Sequence, residues 1–541
     1  MRSLSPWLWL CVLASQPLGA QTAGAPAPQA AHHSCSVTHG TVANTRLLNS
    51  QEEIDALFHD VIAKAQPDPI LIDRIVDSEM KLHKVPEALA RAQALSNAFP
   101  ANSEALVELG EVKMRMGYLD EVVDLVNHAI QLDTCNPWAH YAASRYLELN
   151  GMYAKARTQL KMAHTLAPDD PMISHSWERA NSAPKTPEET IAKLKEELAK
   201  PDLTEERKSG ITFALKAAGT MQHGDCRVVN PLSEMVTKML PMSHGIINTP
   251  YDIYGLGLEV TLNNKKRRFL LDTGASGLLL SRSAAVAAGL TPEFEVKTNG
   301  IGDDGAAASY VTHVDDIKIG SLEFKNCIVR VLEQGRSLDV DGLIGTDVFK
   351  DYLVTVDFPQ HQLRLSPLPL RPGETAGGEG LSTGGLSQDS PWQRQDRYVA
   401  PEMKDWDEAF RKGHLLIVPT SIGNAPLKLF VLDSGADRGM ISPEAAKLVT
   451  GVAIADDHYV RGLSGKVKTV KEADRVMIAF AGVKQMTEKM TSIDLTRQSQ
   501  STGVEISGFI GFPTLRQVTL AIDYRDNLIH VTYDPKHDGF H

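Results

Sequence analysis

Several ingredients are scarce in this chain of 541 residues, and each scarcity removes a class of function. Five cysteines are too few for a disulfide scaffold. Basic residues are outnumbered, 55 against 67 acidic ones, for a net charge of -12, so no nucleic-acid partner is expected. No run of eighteen apolar residues follows the first twenty positions, so no membrane span is expected. Also missing are a His-Glu-x-x-His helix, a Gly-rich phosphate loop closed by Lys-Ser/Thr, and a Gly-x-Ser-x-Gly turn. Neither a metal nor a cofactor is expected. Hydrophobic content of 43% and charged content of 23% are those of an ordinary globular protein, and the length calls for several domains.

What the chain does contain is one octet written twice. Phe269-Leu270-Leu271-Asp272-Thr273-Gly274-Ala275-Ser276 is answered by Phe430-Val431-Leu432-Asp433-Ser434-Gly435-Ala436-Asp437. A short buried strand that ends on a carboxylate, then a small hydroxyl residue and a glycine, presents that carboxylate at a tight turn. Two such carboxylates brought together cannot both ionise and share one proton, which makes an acid and a base from one residue type.

The duplication continues downstream. Asp341-Gly342-Leu343-Ile344-Gly345 is echoed by Ser507-Gly508-Phe509-Ile510-Gly511, and Leu353 to Phe358 by Val518 to Tyr524. From Gly345 to Asp357 is 12 residues, as it is from Gly511 to Asp523. Two homologous β lobes are expected, at 250–367 and 413–534. A Gly/Ser/Pro-rich linker, 368–412, separates them, and 535–541 is read as a tail.

Upstream the signals are helical, over 51–220, and repeat with a period of 34. Pro100, Thr134 and Pro168 keep that spacing, as do Gly117 and Gly151, Ala88, Val122 and Ala156, and Ala129 and Ala163. Small residues where paired helices cross, with a glycine at the turn, are similar to tetratricopeptide repeats, three of them over about 69–170. Such a stack offers a concave surface for a protein partner, or serves only as a spacer. Residues 221–249, punctuated by Pro231, Pro241 and Pro250, read as a linker.

The first residues carry the pattern of an export signal: Arg2, an apolar stretch from Leu4 to Leu18, and small residues at Leu18-Gly19-Ala20. Residues 1–20 are therefore expected to be a signal peptide and 21–50 a flexible leader, placing the protein in the periplasm or outside the cell. His32, His33, Cys35 and His39 in that leader match no zinc spacing. Cys35, Cys135, Cys226 and Cys327 remain after cleavage; three pairings are open, and free buried thiols are the alternative.

Each lobe resembles a retropepsin-type aspartic protease subunit, most closely the bacterial retropepsin-like group. The likeness rests on the apolar strand into Asp-Thr/Ser-Gly-Ala and on Leu343-Ile344-Gly345 and Phe509-Ile510-Gly511. It implies a multidomain α + β protein in which a helical repeat domain precedes two all-β pepsin-like lobes. It also implies a catalytic dyad of Asp272 and Asp433 acting on polypeptide substrate, supported by Thr273, Gly274, Ser434 and Gly435. Asp437, by the same resemblance, would hold substrate main chain, with Ser276 at the matching place in the first lobe. Glycine-bearing hairpins that could close over the cleft are 299–305, with Gly302, and 461–465, with Gly462; Tyr310 is either the aromatic of a flap or only a strand residue. Lobe pairing within one monomer is expected. A pair of lobes contributed by two chains, or an inactive fold that only grips peptides, are the rival readings.

Overall fold

The computed structural model describes residues 35, 47–82, 84–181, 187–200, 203, 205–222, 226–230, 233–243, 253–333, 340–374, 394–455 and 459–533. The expected signal peptide, most of the leader with His32, His33 and His39, Trp392 in the interlobe segment, and the tail from 535 lie outside the described residues.

The helical part is built on one cap repeated at constant spacing. Helices α1 (Gln51–Ile62), α2 (Pro69–Lys81), α3 (Val85–Ala98), α4 (Ser103–Arg115), α5 (Leu119–Leu132), α6 (Pro137–Leu149), α7 (Tyr153–Leu166) and α8 (Pro171–Asn181) follow one another. Helices α2, α4, α6 and α8 begin 34 residues apart, and so do α3, α5 and α7. The residue before each of the first set is Asp68, Asn102, Asn136 or Asp170, whose side-chain oxygen accepts from a first-turn N–H at 2.8–3.1 Å. This satisfies a donor that the helix cannot. Gly117 and Gly151 close the α4–α5 and α6–α7 turns with φ of 78° and 71°, where a Cβ would be strained. Ala88, Val122 and Ala156 are fully buried where the paired helices meet. Helices α9 (Pro187–Leu198) and α10 (Glu205–Gln222) extend the helical part toward the β half.

Among the described residues three large sheets and one two-stranded hairpin, Arg461–Gly462 with Gly465–Lys466, make the β half. The first lobe is a nine-stranded sheet, the second an eight-stranded one, and a six-stranded sheet joins them. In each lobe the octet's strand is flanked in parallel by the downstream glycine element: Gly342–Gly345 runs beside Phe269–Asp272, and Gly508–Ile510 beside Phe430–Leu432. The same short strand pairs antiparallel with the strand that follows the octet. It is thus threaded between the two strands that flank the Asp loop. In the joining sheet the other duplicated strands lie side by side, Leu353–Asp357 against Val518–Asp523. Asp357 and Asp523 end these strands in equivalent turns, each accepting the N–H three residues on, at 2.9 and 3.0 Å. Their shared place reflects turn capping. One apolar core runs through both lobes and the joint, where Phe358 and Phe512 meet edge to face.

The segment expected as a linker, 221–249, supplies strands to two of these sheets. Arg227–Val228 pairs with Leu322–Leu332, Leu240–Ser243 with Ile253–Leu262, and Met235–Lys238 with Gln362–Ser366 at the edge of the joining sheet. Cys226 is bonded to Cys327 across 101 residues, so neither is a free thiol. In the chain-entropy account a loop of that size contributes ~4 kcal/mol. Pro241 is tolerated because its strand pairs on one side only. The end of the expected interlobe linker is also ordered. Asp396 accepts from Ala154 N–H at 2.7 Å, the Arg397 N–H donates to Gly151 carbonyl at 2.9 Å, and Asp407–Glu408 and Phe410–Lys412 join sheets.

Helices α4 to α6 are docked on the second lobe. Gly117 leaves room for Leu429, whose Cγ would lie 2.9 Å from a Cβ there. The Glu505 N–H donates to Arg115 carbonyl at 2.5 Å, and the Arg115 guanidinium to Ser499 carbonyl at 2.6 Å. Lys428 reaches the Tyr118 hydroxyl at 3.1 Å and lies over its ring. Leu106, Val107 and Val122 belong to one apolar cluster with Val431, Ile506 and Phe509. A face that would otherwise be wet is thereby buried.

Candidate active site

The Asp272 and Asp433 loops meet at the joint of the two lobes and hold each other by four buried hydrogen bonds. The Thr273 N–H donates to Ser434 Oγ at 3.0 Å and the Ser434 N–H to Thr273 Oγ1 at 2.9 Å. The Thr273 hydroxyl donates to Leu432 carbonyl at 2.8 Å, and the Ser434 hydroxyl to Leu271 carbonyl at 2.9 Å. Each hydroxyl therefore accepts from one backbone group of the other lobe and donates to another. A serine serves as well as a threonine because only the hydroxyl is used. Both side chains are 1% exposed, so a broken bond would strand buried polar groups.

The glycines have an equally specific reason. A Cβ on Gly435 would lie 2.4 Å from Asp272 Cγ, and one on Gly274 would lie 2.8 Å from Asp433 Cγ. Each glycine clears space for the carboxyl of the opposite lobe. The Gly274 N–H donates to Asp272 Oδ1 at 2.7 Å; the Gly435 and Ala436 N–H groups donate to Asp433 Oδ1 at 3.1 and 3.0 Å. The two carboxyls act on each other directly, each packed against the glycine of the opposite loop. Burial pushes the Asp272 carboxyl above the usual carboxylate range. Burial, then the charge of Asp272, pushes Asp433 up much further. Such a pair holds one proton between two carboxyls over a wide pH range. His414 sits beside it, one ring nitrogen 3.1 Å from Gly274 carbonyl.

Above the carboxyls lies a cavity of about 1040 Å³, lined by both octets and by segments of both lobes. Its roof is made jointly. The Gly300 N–H donates to Ser464 Oγ at 3.0 Å, the Ser464 N–H to Ile301 carbonyl at 3.0 Å, and the Asp304 N–H to Ser464 carbonyl at 2.8 Å. Asp303 accepts from Lys468 N–H at 2.8 Å. Both glycine-bearing segments expected as flaps are thus present in the roof, clasped tip to tip.

The remaining residues singled out from the sequence divide. Gly462 and Asp437 line the cavity, Asp437 while paired with its neighbour Arg438 at 3.0 Å. Ser276 also lines it, but its hydroxyl donates to Asp347 at 2.9 Å, beside a bond from Gly277 N–H. Gly302 is not among the lining residues; at φ 129° it packs on the Ser464 backbone, and its carbonyl accepts from Arg497 at 3.1 Å. Tyr310 is a correction. It is 3% exposed in the core of the first lobe, opposite Glu295 and Val331, because alternation on its strand turns it inward. Residues that no motif signalled are His414, Asp347, Arg330 and Arg497.

The chain is similar to known proteins over part of its length. Residues 258–348 match the family model described as aspartyl protease. UBA domain-containing protein Mud1 of Schizosaccharomyces pombe is 31% identical over 115 residues, 21% of this chain and 33% of that protein. DNA damage-inducible protein 1 of Neurospora crassa is 31% identical over 113 residues, 20% of this chain and 25% of that protein. The chain thus spans a third or less of the length of these relatives. The crystal structure of an aspartic proteinase from Irpex lacteus superposes at a TM-score of 0.33 with 10% identity, over 57% of this chain and 100% of that one. The family match falls on the first lobe, and the second lobe repeats that lobe's Asp loop and threaded strand, so the β half of the chain is similar to aspartyl proteases.

Proposed function

We propose that this protein is an exported aspartic endopeptidase, of the bacterial retropepsin-like type, in which Asp272 and Asp433 activate a water for attack on a peptide bond. The observation that carries the reading is the pair itself: two desolvated carboxyls, one from each lobe, each against the glycine of the opposite loop, at a cavity of about 1040 Å³ that both line. The ionised carboxylate takes a proton from water while the protonated partner polarises the scissile carbonyl. The carbonyl oxygen gains the proton of the neutral Asp as the water oxygen bonds to the carbon; when the C–N bond breaks, the proton taken from water passes to the leaving nitrogen and one hydroxyl of the diol returns its proton to the other carboxylate, which restores the one-proton pair. The backbone N–H groups of Gly274, Gly435 and Ala436 orient both carboxyls. Lobes joined by one core and one shared sheet support action as a monomer with a single cleft.

The 34-residue helical repeat supports a tetratricopeptide-like domain that recruits a protein partner or substrate. The Cys226–Cys327 bond is consistent with an oxidising compartment and hence with export. A mature chain isolated from cells and found by mass to retain residues 1–20 would count against the signal peptide.

The test is to incubate an unfolded protein with wild type and with Asp272→Asn across pH, with and without a transition-state mimic such as pepstatin. Cleavage at acidic to mildly acidic pH that disappears in the variant is expected. Cleavage that survives the substitution, or a profile flat from pH ~4 to 9, removes the reading.

A further inference from the structure

Away from the two carboxyls, arginines outnumber acidic side chains among the described residues of the cavity wall. Apart from the two carboxyls, the charged side chains lining it are Arg330, Arg461, Arg497, Asp437 and, when protonated, His414. Asp437 is already matched by Arg438, which leaves three guanidiniums. They come from separate elements: Arg330 from the strand Leu322–Leu332, Arg461 from the roof hairpin, and Arg497 from the short helix Thr496–Thr502. Arg330 stands on the strand face turned from the core, between buried Val329 and Val331. Among the described residues neither Arg330 nor Arg461 has a hydrogen bond or an ion pair, and Arg497 uses one arm on the Gly302 carbonyl. Desolvation pushes the Arg330 guanidinium below its ordinary value. In a protein of net charge -12, this local excess of cations is a departure from the rest of the surface.

We infer that Arg330, Arg461 and Arg497 select polypeptide segments carrying Asp or Glu close to the scissile bond. This rests on the endopeptidase reading above. A guanidinium offers a paired set of donors that a carboxylate matches in geometry as well as charge. All three arginines are exposed residues that border the cavity, so such a pair is open to screening by salt. The three positions lie in the first-lobe wall, the roof and the second-lobe wall, so acidic side chains on either side of the cleaved bond find a partner.

The test uses the full chain and two peptides that differ only in Glu against Gln at positions flanking one apolar core, together with a peptide mixture from a digested proteome. Enrichment of Asp and Glu near cleaved bonds is expected in the mixture. The Glu peptide should show a kcat/KM about tenfold above the Gln peptide, equivalent to ~1.4 kcal/mol, shrinking as salt approaches ~1 M. Arg330→Glu should bring the Glu-to-Gln ratio to one or below, and Arg461→Gln should lower it independently. Equal turnover of the two peptides by wild type overturns the inference and leaves the endopeptidase reading standing. If no peptide is cleaved, that reading fails, and the Kd values of the two peptides for Asp272→Asn decide the charge preference: equal values overturn it, tighter Glu binding upholds it.

Discussion

The two lobes agree closely at the carboxyl pair and diverge a few residues away from it. At the centre, Thr273 and Ser434 exchange matching hydrogen bonds, and Gly274 and Gly435 clear equivalent spaces. Four residues past each Asp the correspondence ends. Ser276 ties back to Asp347, whereas Asp437 pairs with Arg438. Asp347 has Pro513 at its place in the second lobe, so that lobe offers no carboxylate there. Symmetry is kept where each lobe has to fit the other, and lost where it faces only the cavity. The difference separates what assembles the site from what shapes its contents.

The harshest test of the equal centre is to remove its carboxyls one at a time. Asp272→Asn and Asp433→Asn should each lower kcat/KM at least about 10³-fold, and the double variant should be little worse, because the two act as a unit. A hundredfold difference between the single variants would break the equivalence. The same substitutions probe stability. Both carboxyls titrate above their unfolded value, so stability is intact below the ordinary Asp range and is lost as pH rises through the raised folded values. Asp433→Asn, which removes the larger shift, should flatten the fall of Tm as pH rises above the ordinary Asp range, relative to wild type. An unchanged slope would mean that Asp433 is solvated in the folded state.

Next in size are the spaces and clasps. Gly435→Ala places a Cβ against Asp272, closer than Gly274→Ala places one against Asp433. Each should cost ~1–3 kcal/mol by thermal or denaturant unfolding, Gly435→Ala the more, with activity lost in both. Ser434→Ala leaves the Thr273 N–H and Leu271 carbonyl without their partner. A loss of ~2–4 kcal/mol is expected, whereas Ser434→Thr, which restores the hydroxyl, should be close to neutral. If Ser434→Ala were as stable as Ser434→Thr, the interlock would not be what joins the loops.

How much of this could be read beforehand follows from how local each signal is. The octet and its echo encode a strand, a turn and a glycine within eight residues, so the paired carboxyls were legible. So was the 34-residue period, although the caps Asp68, Asn102, Asn136 and Asp170 that keep the same spacing went unused. The strands of 227–243 were not legible, because Met235–Lys238 is a strand only through its partner Gln362–Ser366, more than a hundred residues away. Tyr310 misled because alternation along a strand does not say which face is the core. The clasp between Gly300 and Ser464 joins residues 164 apart. The cationic wall draws one arginine from each of three elements, and no window of sequence contains it.

The smallest effect is expected at the point of divergence itself. Asp437→Asn keeps the shape of the side chain and removes one partner of an exposed ion pair, 47% and 38% exposed, so stability should move by less than ~1 kcal/mol. Because Arg438 then loses its counter-charge next to a residue that lines the cavity, KM for an acidic peptide should fall a fewfold while kcat stays within about twofold. Ser276→Ala should behave differently. It removes a donor from Asp347 while the Gly277 N–H remains, so it should cost ~1 kcal/mol of stability and leave peptide charge preference alone. If both substitutions changed KM in the same direction and by the same factor, the two positions would be equivalent after all. The lobes would then differ in sequence there but not in use.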